Sequence, residues 1–421
     1  MQVVQPATTQ EIAELLRSAQ AKGASVAVRG GRTLEQILPA EGAASDLLFD
    51  MSRMNRIESI EKGNLLARAE AGTITAAVQA AAEAEGLFYP PDPTSLETST
   101  IGGNIACSAT GPRQLKYGGT RDFVLGLEVV LPSGEHIRTG ADMQKSVAGY
   151  DMTRFLVGSG ARFGVVTGAV LRLLPKPQGR RTILCSLPSW TAGAAVALAV
   201  LKSGMTPAAL ELLDLHCLEV DREAWTSLGA PWRGAVGAES VLLIELDGVE
   251  ASVNRQHAQV ERLSADTAGA LVLSLTEPDE VSRAWELRRR LLPRLMAGSP
   301  TWAMALAAIV PDKLLLPFSS DEPPVSLISN GPTRVACFAH AGTGVLHLFV
   351  GIDPAKERDG DEAIALVRRM LQRLRDLGAK LLRTYGPARR LLGEEEAPAS
   401  ALMERLAAAQ RSFDPKGVMI P

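Results

Sequence analysis

The chain has 421 residues, a net charge of −3 and a hydrophobic content of 46%. This length is typical of two domains, and the hydrophobic content is ordinary for a globular protein that buries a sizeable core. The slightly acidic balance excludes a nucleic-acid-binding protein, because such proteins neutralise phosphates with clustered Lys and Arg side chains.

The first part of the chain, up to about residue 177, alternates short strands with a few helices. Thr8 and Glu11 form a capping box for an amphipathic helix that runs to about Ala21 and ends before Gly23. The further elements predicted here are strands at 25–28, 47–50, 65–70, 127–131 and 169–174 and a helix at 74–85.

The pattern changes after Gln178, where helices alternate with apolar strand-like runs. The predicted helices are at 190–203, 207–217, 251–264, 278–297 and 360–378, and the predicted strands are at 181–187, 240–247, 303–310, 334–339 and 345–352. This alternation over about 200 residues favours one antiparallel sheet covered by helices. The predicted fold class is α+β.

Residues 88–106 carry a dense set of turn-forming and small residues. Three prolines favour an extended path, and Gly102 and Gly103 lack a Cβ, so their amides can approach a ligand closely. Thr and Ser hydroxyls and the amide of Asn104 add short donors. Such a surface suits a diphosphate, and the alternative is a proline-rich turn followed by an ordinary apolar strand.

Further glycine-bearing segments follow this pattern along the chain. They are Arg29-Gly30-Gly31-Arg32-Thr33, Tyr117-Gly118-Gly119-Thr120, Gly149-Tyr150-Asp151, Gly158-Ser159-Gly160 and Phe163-Gly164-Val165-Val166. None has the spacing of a Rossmann or P-loop motif, so a nicotinamide cofactor is not implied.

Taken in order, these segments resemble the FAD-binding (PCMH-type) domain of the vanillyl-alcohol-oxidase flavoproteins. More closely, the chain is similar to the FAD-linked subunit of glycolate oxidase and to D-lactate dehydrogenase. The resemblance implies a two-lobed FAD-binding domain over 1–177, an antiparallel-sheet cap or substrate domain over 178–385, and a segment, 386–421, that returns to the FAD-binding domain.

The resemblance also assigns cofactor contacts to residues of this sequence. The pyrophosphate loop would be Arg29, Gly30, Gly31 and Thr33; the diphosphate and ribityl chain would be lined by Pro91, Asp92, Thr94, Thr100, Gly102, Gly103 and Asn104; and the two ring systems would lie against Tyr117, Gly118, Gly164 and Val166. No His precedes His136, so non-covalent FAD is expected. Two departures from the family pattern are Arg32, in place of a third glycine, and Gly160-Ala161-Arg162, in place of Glu-Gly-Thr.

The candidate catalytic residues lie in the second part of the chain. His340 and His347 flank a glycine-bearing break between two strands, and two imidazoles at this spacing can converge on one metal or one substrate. The alternative is two partly exposed histidines beside a turn. The segment resembles the family motif His-x-Gly-Asp-Gly-Asn-x-His, with Thr343 and Val345 in place of Asp and Asn.

The family's later Glu-His-Gly, which supplies a metal-binding carboxylate and the base, is absent. Arg383-Thr384-Tyr385 stands there instead, so no tight metal site is expected. His347, His340 or an acidified Tyr385 would then accept the substrate proton. Arg288 matches a family Arg that can hold a substrate carboxylate, and the alternative is a surface helix Arg.

Four widely separated cysteines, Cys107, Cys185, Cys217 and Cys337, form no Cys-x-x-Cys. No iron–sulfur cluster or structural zinc is therefore expected on this chain. Residues 1–20 do not resemble a signal peptide, no apolar run reaches the length of a membrane span, and the predicted compartment is the reducing cytoplasm.

Three functions from different classes follow. The first is an FAD-dependent dehydrogenase that oxidises a small 2-hydroxy acid, of glycolate or D-lactate type, by hydride transfer to flavin N5. Its electrons would pass to a separate iron–sulfur subunit or electron-transfer flavoprotein, through which the chain could attach to the inner membrane. The second is an FAD-bearing accessory subunit with an incomplete acid–base site, and the third is a flavin fold without flavin, which the glycine motifs disfavour.

Overall fold

The computed structural model describes residues 1–33, 45–143, 149–228, 240–267, 269–299, 301–308, 334–352, 378–385 and 401–420, with seven further positions between 365 and 376. The chain divides into two compact units. Unit 1 comprises Met1–Arg113, Tyr117–Lys176 and Ala397–Pro421, and unit 2 comprises Gln114–Lys116 and Pro177–Glu396. The predicted domain limits remain predictions, because a compact grouping does not show which segments fold by themselves.

The described strands are β1 (Gln2–Val4), β2 (Val26–Arg29), β3 (Leu47–Asp50), β4 (Ile57–Glu61), β5 (Leu66–Glu70), β6 (Leu87–Phe88), β7 (Val124–Val130), β8 (His136–Gly140), β9 (Val165–Arg172), β10 (Leu174–Pro175), β11 (Gly179–Leu187), β12 (Ala209–Asp214), β13 (Ser240–Gly248), β14 (Leu271–Leu275), β15 (Thr301–Ala308), β16 (Arg334–His340), β17 (Val345–Ile352) and β18 (Lys380–Tyr385). The described helices that we label are α1 (Thr9–Lys22), α2 (Thr75–Ala84), α3 (Ile101–Cys107), α4 (Gln114–Tyr117), α5 (Thr120–Phe123), α6 (Met152–Leu156), α7 (Trp190–Lys202), α8 (Leu215–Glu219), α9 (Arg222–Thr226), α10 (Glu250–Ala265), α11 (Pro278–Ala297) and α12 (Ala401–Phe413).

Unit 1 is built on two main sheets. A parallel sheet has the order β1-β3-β2, and an antiparallel sheet has the order β4-β5-β9-β7-β8. One hydrophobic cluster gathers around Phe49 and Ile12, and a second gathers around Phe123 and Leu171. Two cores in one unit are what a two-lobed domain requires.

The start of α1 confirms the predicted capping box. Thr8 Oγ1 accepts a hydrogen bond from the Glu11 amide at 3.1 Å, and Glu11 Oε2 accepts one from the Ala7 amide at 2.8 Å. The helix ends at Gly23, whose φ of +66° is the left-handed conformation that glycine adopts without a steric cost.

The late residues of the chain complete the parallel sheet of unit 1. The Val26 amide donates to the Val418 carbonyl at 2.7 Å, and the Ile420 amide donates to the Val26 carbonyl at 2.8 Å. Val418 and Met419 are buried in the same cluster as Phe49. The beginning and the late part of the chain therefore share one core.

Unit 2 is built on an eight-stranded antiparallel sheet with the order β14-β11-β13-β12-β16-β17-β15-β18. Helices α7 and α10 pack on one face, over apolar side chains such as Leu212, Leu242 and Leu348. Because side chains alternate along a strand, the residues between these belong to the other face. That second face carries Glu211, Glu245, Phe338, His340 and His347 in adjacent register positions.

One predicted element and one alternative are wrong. The predicted helix at 207–217 is the strand β12 followed by the short helix α8, because all six residues of β12 are buried and pair with β13 and β16 on either side. Its Ala and Leu content favours a helix, but a strand buried on both faces reads as the same apolar run. The alternative of an ordinary apolar strand after the proline-rich turn is also wrong, since Ile101–Cys107 form α3.

No helix among the described residues is long and apolar enough to cross a membrane.

Candidate functional site

A glycine loop follows β2 in unit 1 and lies against the start of α3. A Cβ on Gly30 would lie 2.4 Å from Thr100 Oγ1, and a Cβ on Gly31 would lie 1.9 Å from the Thr98 carbonyl oxygen. Neither position can hold a side chain without moving backbone or a buried hydroxyl. The predicted loop and the segment around Thr100 are therefore brought together.

The amides of this loop have no partner among the described residues. None of the amides of Gly30, Gly31 and Arg32 is hydrogen-bonded to a described residue. Consecutive amides that point to one side of a loop can form an anion-binding concavity. Thr33 follows them, and its side chain is half-buried.

The amides at the start of α3, unlike those of the glycine loop, are hydrogen-bonded within the protein. The Gly102 amide donates to the Ala71 carbonyl at 2.7 Å, and the Gly103 amide donates to Thr100 Oγ1 at 3.1 Å. Asn104 donates its side-chain amide to Thr75 Oγ1 at 2.7 Å. The expectation that the amides of Gly102 and Gly103 face a ligand is therefore wrong, and the place of these residues among the cofactor contacts stays a prediction.

Arg29, at the end of β2, is held by an ion pair. Its Nη2 lies 2.9 Å from Asp50 Oδ2, and both side chains are 12% exposed. Burial alone would raise the pKa of Asp50, but hydrogen bonds from Arg29 and Ser52 bring it below its ordinary value. The ion pair fixes Arg29 beside the glycine loop, and a direct contact with pyrophosphate stays a prediction.

The proline segment is fixed by contacts within unit 1. Gln79 donates to the Pro91 carbonyl at 2.9 Å, and Arg113 lies 3.5 Å from Asp92. Thr94, in the same segment, is half-buried.

The residues predicted to face the ring systems occupy two further places in unit 1. Tyr117 packs edge-on against Phe88 with ring centroids 5.5 Å apart, and Gly118 follows with a φ of +89°. Gly164 has a φ of +146° and approaches the Val130 carbonyl, and Val166 lies opposite Val129 in the β7–β9 ladder. Their contacts with FAD stay predictions.

The two departures from the family pattern keep a glycine-like backbone. Arg32 has a φ of +59° and Ala161 a φ of +62°, a region that costs residues with a Cβ about 1–2 kcal/mol. Arg32 is exposed and forms no ion pair with a described residue.

Unit 2 contains a buried group of interacting polar and aromatic side chains, which we call the His–Glu–Arg cluster. Its members are Glu211, Arg288, Phe338, His340 and His347. Arg288 donates from Nε and Nη2 to Glu211 Oε2 at 3.0 and 2.7 Å, and His340 Nδ1 lies 2.7 Å from Glu211 Oε1. Both carboxylate oxygens are therefore bonded.

The environment of Glu211 keeps it ionised. Its burial would raise the pKa, but the charges and hydrogen bonds of His340 and Arg288 outweigh burial and lower it. Arg288 also lies over the Phe338 ring at 4.7 Å, which adds a cation–π contact. The alternative of a surface helix Arg is wrong, because Arg288 is 1% exposed.

His347 is enclosed by aromatic rings. It stacks on Phe338 with centroids 4.4 Å apart and meets His340 edge-on at 5.0 Å. Neither ring nitrogen has a hydrogen-bond partner among the described residues. Burial lowers the pKa of His347 well below its ordinary value, and the charges of His340 and Arg288 add to this.

The structure brings Arg288, His340 and His347 together, as three of the four predicted catalytic residues. Tyr385 lies opposite Met304 in the β15–β18 ladder, and its side chain is outside the described residues. Sequence reasoning missed Glu211, although a single Glu within Leu210–Leu213 was a signal, since a buried charge needs a partner.

Among the described residues, no group of three or more His, Cys, Asp or Glu side chains could hold a metal ion. Glu211 Oε1 is occupied by a hydrogen bond to the same His340 that a metal would need. The prediction that no tight metal site exists stays a prediction.

Comparisons with known proteins identify the family. A model described as "FAD binding domain" matches residues 1–140, and one described as "FAD linked oxidases, C-terminal domain" matches residues 176–421. The chain belongs to the FAD-linked oxidases. It is an oxidoreductase, and FAD is its cofactor.

Relatives of this FAD-linked oxidase cover its whole length. The glycolate oxidase subunit GlcD of Bacillus subtilis (strain 168) is 33% identical over 100% of this chain and 87% of its own length. The mitochondrial D-lactate dehydrogenase [cytochrome] of Arabidopsis thaliana is 29% identical over 100% of this chain and 72% of its own length. The predicted family is confirmed.

Solved structures confirm the predicted fold class. The 4-ethylphenol oxidase from Gulosibacter chungangensis, in its isoeugenol complex, has a TM-score of 0.73 at 18% identity, and p-cresol methylhydroxylase with substrate bound has one of 0.72 at 14% identity. Each covers 99% of this chain and 87% of its own length. At these identities the likeness shows the fold alone.

Proposed function

We propose that this chain oxidises a small 2-hydroxy acid, glycolate or D-lactate, and passes the electrons to a separate acceptor protein. The observation that carries the proposal is the full-length match to a glycolate oxidase subunit and to a D-lactate dehydrogenase. The chemistry supplied by bound FAD is two-electron oxidation, with a hydride accepted at flavin N5.

The residues of unit 1 fit a non-covalently held dinucleotide. The amides of Gly30, Gly31 and Arg32, which no described residue bonds, would bind the pyrophosphate, and Thr100 caps the start of α3 beside this loop. The ion pair between Arg29 and Asp50 leaves that guanidinium to orient the loop.

The residues of unit 2 supply groups that the oxidation of a hydroxy acid could use. The His–Glu–Arg cluster holds two imidazoles, and a guanidinium whose charge is balanced by Glu211. An imidazole can accept the proton of a hydroxyl group near neutral pH.

Anaerobic mixing of the purified holoprotein with D-lactate, L-lactate or glycolate tests this function. We expect one of these acids to bleach the oxidised-flavin absorbance bands, because electrons enter the flavin when no acceptor is present. Dithionite is the positive control, since it reduces flavin without the substrate site. Flavin that dithionite bleaches and none of the acids reduces would contradict the proposal.

A second candidate is an FAD-bearing accessory subunit of a glycolate-oxidase-like complex. Two observations favour it: Arg288 is already paired with Glu211, and Arg383-Thr384-Tyr385 stands in place of the family's Glu-His-Gly. A flavin that stays oxidised with every acid, in the isolated chain and in excess acid, would favour this role.

The acceptor would be an iron–sulfur subunit or an electron-transfer flavoprotein, because the sequence of this chain has no Cys-x-x-Cys motif for a cluster. The proposed compartment is the cytoplasm, with any attachment to the inner membrane made through that acceptor. Co-purification of an iron–sulfur protein or flavoprotein with the tagged chain would support this part of the proposal.

A further inference from the structure

Glu211 lies in a position where burying an ionised carboxylate is energetically unfavourable unless the carboxylate has bonded partners. It is fully buried in the middle of β12, and burying an ion without partners would be strongly unfavourable. Its two oxygens are divided between partners, with Oε2 taking both donors of Arg288 and Oε1 facing His340 Nδ1. Arg288 carries a permanent positive charge beside Oε2, and His340 Nδ1 is hydrogen-bonded to Oε1.

This division fixes the tautomer of His340. An ionised carboxylate can only accept hydrogen bonds, so His340 Nδ1 must carry the hydrogen that Glu211 Oε1 receives. In the neutral ring the lone pair then lies on Nε2. A carboxylate that holds one ring nitrogen and leaves the other as a base is the arrangement that orients histidines in acid–base catalysis.

His340 and His347 differ in access and in environment. The His340 side chain is 13% exposed, whereas His347 is enclosed by Phe338 and His340, with no hydrogen-bond partner among the described residues on either nitrogen. His347 meets His340 edge-on, with an interplanar angle of 84°. It therefore restricts the plane of the His340 ring, while Glu211 restricts its rotation.

We propose that Glu211 is a positioning residue that sets His340 Nε2 as the acceptor of the substrate's hydroxyl proton. This inference rests on the oxidation proposed above. In that reaction the hydroxyl O–H bond breaks and its proton moves to Nε2. Bound FAD would supply the two-electron oxidation, taking up the α-hydrogen with its electron pair while the carbon–oxygen double bond forms.

The tautomer of His340 can be measured without any turnover. The holoprotein labelled with ¹⁵N-histidine contains only five His, and the His340 signals are assigned by their loss in His340→Gln. We expect neutral His340 to carry its hydrogen on Nδ1. A neutral His340 with its hydrogen on Nε2 in the unsubstituted protein would overturn the proposal, and this outcome is read without turnover.

The variant Glu211→Gln should change the tautomer of His340. The Gln side chain has one acceptor oxygen, which the two Arg288 donors would claim, so its NH₂ group would face His340 Nδ1. We expect the His340 hydrogen to move to Nε2. An unchanged tautomer in a folded Glu211→Gln protein would contradict the positioning role.

Flavin reduction tests the proton acceptor itself. We expect the anaerobic reduction rate at saturating acid to fall about 10²–10⁴-fold in His340→Gln and at least about tenfold in Glu211→Gln, with FAD content unchanged. The matched control is Glu286→Gln, an exposed Glu on α11 that pairs with Arg290, and its rate should be unchanged. Equal rates in Glu211→Gln and Glu286→Gln would overturn the proposal.

The failure of the proposed function is distinguishable from that of this inference. If no 2-hydroxy acid reduces the unsubstituted flavin, the proposed function and the proton-acceptor role both fail. The tautomer measurement still decides whether Glu211 positions His340. If an acid does reduce the flavin and the tautomer is the opposite one, only the inference fails.

Discussion

Glu211 and Arg288 illustrate how a buried charge constrains its partner. The pair lies on two elements 77 positions apart and is almost fully buried. A buried ion pair contributes little net stability, since desolvation offsets the attraction, but removing one partner leaves an uncompensated charge. The stability lost when one residue of the pair is substituted therefore depends on whether the charge of the other residue remains buried.

Arg288→Ala should lower the free energy of unfolding by about 3–5 kcal/mol, because Glu211 would remain buried without its guanidinium partner. Arg290→Ala is the matched control on the same helix, since its ion pair with Glu286 is exposed and such pairs contribute about 0–1 kcal/mol. Urea unfolding of both variants measures the difference. Similar losses in the two variants would contradict the assignment of a buried pair.

The glycine loop after β2 packs against the start of α3, and this contact joins two structural elements of unit 1. Gly31 allows the loop to approach the Thr98 carbonyl, and Thr100 caps α3 at the same place. Packing between the loop and α3 therefore fixes the position of the loop amides that we propose as pyrophosphate contacts.

Gly31→Ala should weaken FAD binding about 5- to 150-fold, because its Cβ would collide with the Thr98 carbonyl. Overpacking of this kind costs about 1–3 kcal/mol and would displace the loop. Gly63→Ala is the matched control, since a Cβ on Gly63 meets nothing within 4 Å. Titration of apoprotein with FAD gives both affinities. Equal affinities would mean that the loop does not bind the cofactor.

Helices with local signals could be predicted from the sequence, and elements defined by distant contacts could not. The helix starting at Thr9 was recognisable from its capping box and the following glycine, and the helices near 190, 251 and 278 from their periodicity. The strand β12 was taken for a helix because its apolar run fits both. Only its pairing with β13 and β16 decides between them.

The residues of the candidate site also fall into two groups: those that local sequence signals predict and those that depend on distant contacts. The glycine loop was found because glycines mark close approaches directly in the sequence. Glu211 was missed because its partners, Arg288 and His340, lie 77 and 129 positions away. Likewise, the sequence cannot show that the amides of Gly102 and Gly103 are already used by Ala71 and Thr100.

Separate hydrophobic cores characterise the molecule as a whole. Unit 1 holds the clusters around Phe49 and Phe123, and unit 2 holds the cluster that includes Leu212 and Leu348. The proposed pyrophosphate contacts belong to unit 1 alone. Ligand binding should therefore stabilise one unit directly.

Calorimetry of the apoprotein should resolve two unfolding transitions, of which FAD raises one. At 100 times its dissociation constant FAD should stabilise unit 1 by about 2.7 kcal/mol. Arg288→Ala should lower the other transition, because its partner lies in unit 2. An equal shift of both transitions on adding FAD would contradict this assignment.

The hydrogen bonds between Val26 and residues 418–420 determine when this part of unit 1 can finish folding during translation. The ribosome releases residue 26 roughly four hundred residues before its partners, and all of unit 2 emerges in the interval. During that interval the edge strand β2 lacks the neighbour beside Val26, and the cluster around Phe49 lacks Val418 and Met419. The nascent chain must therefore carry an unfinished lobe, with an open strand edge, until residues 418–420 have been synthesised.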